Sequence, residues 1–315
     1  RLTRVSAEWH ALEKRALAIS QPLNYPAVLA VQEVENASVL HDLIWRPEIK
    51  IFYGALIEEG PDVRGIDLAL LYRPDLVSVI EYHTSQGCTG LIDGLEPDGN
   101  DDPENPQNEL TCDRDGNGLL DGNRLFSRPP LLAHLLIKPG EELGGSTFAT
   151  SSSQRLDFWV IVCHLKSKVG DTSTNPYTLP RRTEQAEFIA GLARQIRQSY
   201  SQSELVVLGD FNDFPDSDPL VEIQGSGLQS GMRLVLHGNR YTYIHQGVSQ
   251  YLDDIYFSPH LELLPIEVEA PHFNADYPHN LSMQNGSYLR SSDHDPAVIS
   301  FGLVFPKVFL PTILR

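Results

Sequence analysis

Apolar residues recur at the spacing of one helix face at Trp9, Leu12, Ala16 and Ile19, which predicts an amphipathic helix over residues 7–19. A turn at Asn24-Tyr25-Pro26 separates it from a short apolar strand, residues 28–31, that runs directly into Gln32-Glu33. Asn36 is placed to cap a second helix that reaches Trp45. Strands are predicted at residues 66–72, 76–82 and 131–137, with a stretch rich in Gly, Pro and Asp between the last two. Beyond a Ser-rich turn, the apolar run Phe158-Trp159-Val160-Ile161-Val162 leads a strand into Cys163-His164. Ala186, Ile189, Leu192, Ala193 and Ile196 form one face of a helix over residues 183–200. The buried-strand pattern Leu205-Val206-Val207-Leu208 then delivers Gly209-Asp210-Phe211-Asn212-Asp213. Two further strands are predicted at residues 252–257 and 297–301.

Helices alternate with strands in the first and middle parts and later strands crowd together, which points to a mixed α/β sandwich rather than a purely parallel sheet. A chain of 315 residues could hold about two typical domains, yet no internal repeat and no linker divides it. The simplest partition is one catalytic-type domain over residues 1–303, with an insertion at about residues 84–127 and an apolar, Pro-containing tail over residues 304–315.

Charge changes the picture. Forty-two acidic residues against 24 basic ones leave a net charge of −18, which argues against a broad basic face that coats nucleic acid. Half of that excess lies in one place: residues 93–121 carry ten acidic side chains, opposed only by Arg114. No apolar run approaches the ~18 residues of a membrane helix. No apolar signal core follows Arg1-Leu2-Thr3-Arg4, so the chain reads as if cut from something longer.

Cys88 and Cys112 flank the acidic segment, where a bridge would close a long loop, and Cys163 sits in an apolar run as a buried spare. The alternative is three reduced thiols in a cytosolic protein. Asp113, Asp115, Asn117 and Asp121 occupy positions 1, 3, 5 and 9 of an EF-hand-type loop, with the Leu119 carbonyl available between them. Arg124 stands at the twelfth position in place of the usual Glu, so the choice is between a structural calcium loop and a solvated acidic loop. Oxidised cysteines and calcium together suit an extracellular setting.

Polar residues with catalytic potential repeatedly sit where an apolar strand ends or begins. Glu33 follows residues 28–31, His164 follows 158–163, Asp210 and Asn212 follow 205–208, and Asp293-His294 precede 297–301. Each alone is more simply a surface carboxylate or a turn; the repetition is what points to a site. Glu33, Asp210, Asn212 and Asp293 are hard oxygen donors suited to magnesium or manganese rather than to a closed zinc site. His164 and His294 could then bind phosphate or move protons, with Asp253 or its neighbour Asp254 orienting His294. Local cations that could hold a polyanion are Lys166, Lys168, Arg181, Arg182 and Arg290, with a solvated surface as the alternative for the Arg pair. No zinc finger, recognition helix or aromatic RNA-binding strand is visible.

The strings Leu29-Ala30-Val31-Gln32-Glu33-Val34, His164-Leu165-Lys166-Ser167-Lys168, Gly209-Asp210-Phe211-Asn212-Asp213 and Ser291-Ser292-Asp293-His294-Asp295-Pro296 resemble the ordered motifs of the endonuclease/exonuclease/phosphatase superfamily. Tyr241-Thr242-Tyr243, Gly247, Leu252-Asp253 and His272-Phe273-Asn274-Ala275-Asp276 resemble its bacterial extracellular nuclease branch. This resemblance implies a four-layer α/β sandwich with two mixed β-sheets packed face to face and helices outside. It also implies a first strand ahead of the first helix, whereas the sequence starts at that helix. By resemblance, Glu33, Asp293 and Asp210 are metal ligands, Asp210 and Asn212 position or activate the attacking water, Asp253 orients His294, and His294 serves at the scissile phosphate. His164, Lys166, Lys168 and Asn212 would bind phosphate, with Asp67 beside His164.

The chain is thus expected to be a secreted or cell-surface phosphodiesterase dependent on Mg2+ or Mn2+, most simply a DNA endonuclease, with nucleic acid as substrate, no stable protein partner and a monomeric state. The rivals are a phosphatase or sphingomyelinase of the same fold, and a non-catalytic calcium-binding surface module.

Overall fold

In the computed structural model the described residues are 2–62, 64–91, 111–137, 156–172, 174–263, 266–301 and 308–309. Most of the acidic stretch 93–121 and most of the tail 304–315 fall outside them. The helices are α1 (Leu2–Ser20), α2 (Ala37–Ile44), α3 (Leu179–Ser199) and α4 (Asp218–Gly225). The first strands are β1 (Val28–Val34), β2 (Gly54–Ile57), β3 (Asp67–Tyr72), β4 (Val77–Thr84), β5 (Cys88–Thr89), β6 (Asn123–Arg124), β7 (Leu131–Ile137) and β8 (Leu156–His164). Then come β9 (Glu204–Asp210), β10 (Gln229–Ser230), β11 (Tyr243–His245), β12 (Val248–Gln250), β13 (Asp253–Phe257), β14 (Ile266–Glu269), β15 (Val298–Phe301) and β16 (Val308–Phe309).

A six-stranded mixed sheet, ordered β10-β13-β9-β8-β7-β4, faces a layer made of two antiparallel pieces, β1-β3-β2 and β14-β15-β16. The pairing of β8 with β9 is the parallel one in the large sheet. Three apolar clusters separate the layers. Ala30, Leu70, Leu135, Val160, Val206, Ile255 and Ile299 fill the space between the sheets. Ile161, Val207 and Ile223 pack under α3 and α4, and Leu29, Leu71, Ala16 and Leu40 pack under α1 and α2. Because side chains of a strand alternate, each central strand feeds a different cluster from each face, which yields the four-layer sandwich.

Local chemistry explains the element ends. Asn36 caps α2, its Oδ1 accepting from Val39 N at 3.1 Å, as predicted. The middle helix starts at Leu179, ahead of its apolar face, because Pro180 suits a first turn. Cys88 and Cys112 form a disulfide with a Cα separation of 5.9 Å, and Cys163 is free and buried. The acidic loop it anchors is turned upon itself: Asp113 Oδ1 accepts from Gly116 N at 2.8 Å and its Oδ2 from Gly118 N at 2.6 Å. Asn117 Oδ1 accepts from Leu119 N and Asp121 Oδ1 from Arg114 N, both at 2.8 Å. These amides, Gly118 foremost, hold the Asp113 carboxyl below its ordinary value.

Candidate active site

The carboxyl ends of β1, β8 and β9 and the amino ends of β3 and β13 meet on one side of the sandwich. Parallel register places His164 level with Asp210, and antiparallel register places Asp253 opposite Asp210. His164 Nε2 lies 3.6 Å from Asp210 Oδ2. Asp253 Oδ2 lies 2.6 Å from His294 Nδ1, and an atom from each of Asp210, Asp253 and His294 lies within 4.8 Å of the other two. The His164 side chain and this trio are buried, so the strand-end residues form a recessed floor rather than an exposed rim.

The turn after β9 is built for close approach. A Cβ at Gly209, where φ is +149°, would come 1.8 Å from the Cys163 carbonyl oxygen on β8. Only glycine lets β8 and β9 carry His164 and Asp210 side by side here. Asn212 takes the left-handed conformation at φ +50°; its N–H donates to Asp210 Oδ1 at 2.7 Å and its Nδ2 donates to Leu165 O at 3.0 Å. That amide therefore ties the Asp210 turn to the segment following His164.

Asp253, not Asp254, orients His294. Asp254 is spent on structure: its oxygens accept from Ser230 Oγ, Tyr251 OH, Met232 N and Ile255 N, and burial pushes its carboxyl up against those hydrogen bonds. A carboxylate only accepts, so Asp253 holds a His294 proton on Nδ1. Tyr243 stacks on the His294 ring at 4.5 Å.

Glu33 sits at φ +55° in the irregular segment of β1, with its Oε1 4.0 Å from Arg128 Nη1. Burial lowers the Arg15 guanidinium, and the charges of Asp293 and Glu33 oppose that shift, which puts the two carboxylates in one electrostatic neighbourhood. The donor set fits a divalent cation: hard carboxylate oxygens dominate, and Asp253 Oδ1 is buried with no hydrogen-bond partner among the described residues.

A model of the Endonuclease/Exonuclease/phosphatase family matches residues 10–294. The chain belongs to this family. Solved structures of the same fold include an endonuclease/exonuclease/phosphatase from Bacteroides vulgatus, 16% identical with a TM-score of 0.55, covering 94% of this chain and 91% of that one. A mannosyl-6-phosphatase from Bacteroides thetaiotaomicron is 14% identical, with a TM-score of 0.53 and coverage of 95% and 94%. A D. rerio TDP2 humanized by 14 mutations is 15% identical, with a TM-score of 0.52 and coverage of 92% and 90%. No curated protein matches. Membership makes the chain one of a group of phosphoester hydrolases that generally use divalent metals.

Several charged residues stand differently from their sequence reading. Arg181 and Arg182 are neither a polyanion site nor a solvated surface; both are buried, Arg182 to 1% exposure. Arg290 Nη1 donates to Asn274 O at 3.0 Å. Lys168 Nζ lies 2.7 Å from Asp213 Oδ1 and 3.9 Å above the Phe214 ring centroid, so its charge is engaged within the protein. Asp67 Oδ1 accepts from Gly60 N at 2.7 Å.

Arg15, Arg128, Asp213 and Asp295 were not singled out from sequence. Asp295 directly follows His294 and knots the site from behind, accepting from Asn274 N at 2.7 Å, Ala275 N at 3.1 Å and His272 Nδ1 at 2.8 Å. The string around residues 272–276 was the available signal, since it returns to the Ser291–Pro296 motif through these bonds.

Proposed function

We propose that this protein is a divalent-metal-dependent phosphodiesterase, acting as an endonuclease on DNA, with RNA as a further substrate. The observation that carries the phosphoester chemistry is the buried Asp210, Asp253 and His294 cluster beside His164. The nucleic-acid substrate is supported by the strings at residues 241–243 and 272–276, and a Tyr from the first of them stacks on His294.

Glu33, Asp293 and Asp210 would hold Mg2+ or Mn2+, which when bound supplies charge neutralisation at the phosphate. Asp210, aided by Asn212, orients the attacking water. His294, held in one tautomer by Asp253, exchanges a proton through Nε2. His164 and Lys166 bind and compensate the phosphate oxygens, and the fixed hydrogen bonds of the site make this preorganised stabilisation. The oxidised Cys88–Cys112 pair supports a secreted or cell-surface setting, and the loop it anchors is read as a calcium loop.

Nicking of supercoiled plasmid DNA in magnesium, abolished by chelation, is the expected result. Plasmid left intact while a phosphomonoester or sphingomyelin is hydrolysed would reassign the substrate. No turnover of any phosphoester in any divalent metal would leave the surface-module reading.

A further inference from the structure

Arg182 is a full charge in the protein interior, outside the catalytic cluster, and its guanidinium fork is used from end to end. Nε donates to Asp213 Oδ2 at 2.9 Å and Nη2 to Asp171 Oδ2 at 2.8 Å. Nη1 donates to the carbonyls of Lys166 at 3.4 Å and Ser167 at 3.3 Å, and to Thr178 Oγ1. The other Asp213 oxygen accepts from Lys168 Nζ at 2.7 Å and from Phe214 N at 2.9 Å. One helix further supports the same segment, because Lys166 N donates to Gln185 Oε1 at 2.8 Å.

Stability is a poor reason for this network. Desolvating two carboxylates and two cations costs about as much as their attraction returns, and apolar replacements of buried ion pairs are often no worse. Geometry is the better reason. A planar fork with fixed donor directions holds its partners in one arrangement, which a point charge on a flexible stem does not. The partners of this fork are the segment that begins at His164 and the turn that begins at Asp210.

We propose that Arg182 is a positioning residue of the reaction. Through Asp213 on one side and the Lys166 and Ser167 carbonyls on the other, it locks the loop after β8 against the loop after β9, and so sets how His164, Asp210 and Asn212 face a single phosphate. The proposal rests on the phosphodiesterase reading for its kinetic consequence, but its structural content stands apart from turnover.

The test compares wild type with Arg182→Met, Arg182→Lys, Asp213→Asn and Arg73→Met, well below the lowest melting temperature. Arg73→Met serves as control, since it breaks an ion pair with Asp75 just beyond the distal end of β3. On bis(p-nitrophenyl) phosphate with magnesium, kcat of Arg182→Met should fall on the order of tenfold to a hundredfold, because small misplacements of reacting groups cost that much. KM should stay within about twofold, since ground-state binding is not the term removed. Arg182→Lys keeps the charge, loses the fork and should recover only part of kcat; Asp213→Asn should fall with Arg182→Met; Arg73→Met should match wild type.

Hydrogen exchange reads the lock without turnover. Leu165 N, which donates to Asp210 O at 2.9 Å, should lose protection in Arg182→Met and keep it in Arg73→Met. Unchanged Leu165 protection overturns the proposal, as does a kcat within about twofold of an active wild type. If Arg182→Met does not fold, Asp213→Asn decides by the same two readings. An inactive wild type would refute the proposed function alone, and exchange would still decide the role of Arg182.

Discussion

Nδ1 of His294 lies 2.6 Å from Oδ2 of Asp253, although the two residues are 41 apart in sequence, and both are buried. The bond places a His294 proton on Nδ1 and gives the ring a fixed direction. Asp253→Asn can present an N–H to Nδ1 instead of an acceptor, which would favour the opposite tautomer and place the proton on Nε2. We expect kcat to fall by on the order of 10²-fold or more, with KM little changed and a folded protein by circular dichroism. A variant within a few-fold of wild type would remove His294 from the proton chemistry.

Asp210 and Asp253 face each other directly in the β9–β13 register, both fully buried. Like charges opposite one another in an antiparallel pair destabilise it. Asp210→Asn removes one of them while keeping the shape, so it should abolish metal-dependent turnover and at the same time stabilise the chelated protein by ~1 kcal/mol. Calorimetry in chelator should show a melting temperature raised by about 2–4 °C. The burial of both carboxylates is what makes the site cost stability. A lowered melting temperature would sink this account.

His272 places Nδ1 2.8 Å from Asp295 Oδ2 and Nε2 3.2 Å from Asn239 O, with Tyr241 stacked on the ring at 4.0 Å. Both partners accept, so only the doubly protonated ring satisfies both. Burial by itself would lower its pKa, but the Asp295 hydrogen bond and charge, with Asp276 beyond, carry it above the ordinary value. A raised folded pKa means that this contribution to stability is complete below the unfolded value of about 6.5. It is then lost as pH rises through the folded value. Melting temperatures across neutral and mildly alkaline pH should therefore fall more steeply for wild type than for His272→Gln. Parallel curves would rule out the ring as the titrating group.

Calcium should raise the melting temperature relative to chelator if the loop between Asp113 and Asp121 binds it, because a ligand held only by the folded state stabilises that state. The side-chain oxygens of Asp113 and Asn117 already accept amides of their own loop, so the turn is formed around them. Asp115→Ala should remove the calcium response while leaving the chelated melting temperature near that of wild type. Identical curves with and without calcium would mark the segment as a solvated loop.

Candidate site positions were legible from the chain where a polar side chain follows or precedes an apolar run long enough to show its pattern. Glu33, His164 and Asp210 stand out in this way, and the runs ahead of His164 and Asp210 form β8 and β9. What escaped notice had no such pattern. β2, β10, β11, β12 and β14 span four residues or fewer, too short for a period to emerge. Arg182 lies on a helix whose neighbours Arg181, Thr183 and Glu184 are polar, so composition made it look solvent-facing; its burial is decided by Asp213 and Asp171, residues that only the fold brings to it. Arg128 likewise meets Glu33 from a distant segment, and the Glu33 charge acts on Arg15 from another. Register, not composition, separated Asp253 from Asp254, since adjacent strand residues point to opposite faces.

Gly209 is the position where fold and site share one requirement. The Cys163 carbonyl lies where a Cβ would be, and that carbonyl belongs to the strand whose next residue is His164. Gly209→Ala therefore cannot be absorbed by a side-chain rotation; β8 and β9 must part at the step that aligns His164 with Asp210. We expect a loss of ~3 kcal/mol or more, since both backbone strain and the parallel ladder are involved. If folded protein is recovered, turnover should be lost further than the melting temperature suggests, because the 3.6 Å approach of His164 to Asp210 is the first geometry to go. Gly225→Ala is the matched control: it stands at the end of α4 with open space around a Cβ, and it should leave both activity and stability close to wild type. A Gly209→Ala protein with wild-type stability and turnover would show that the close packing of these two strands is not required for the site.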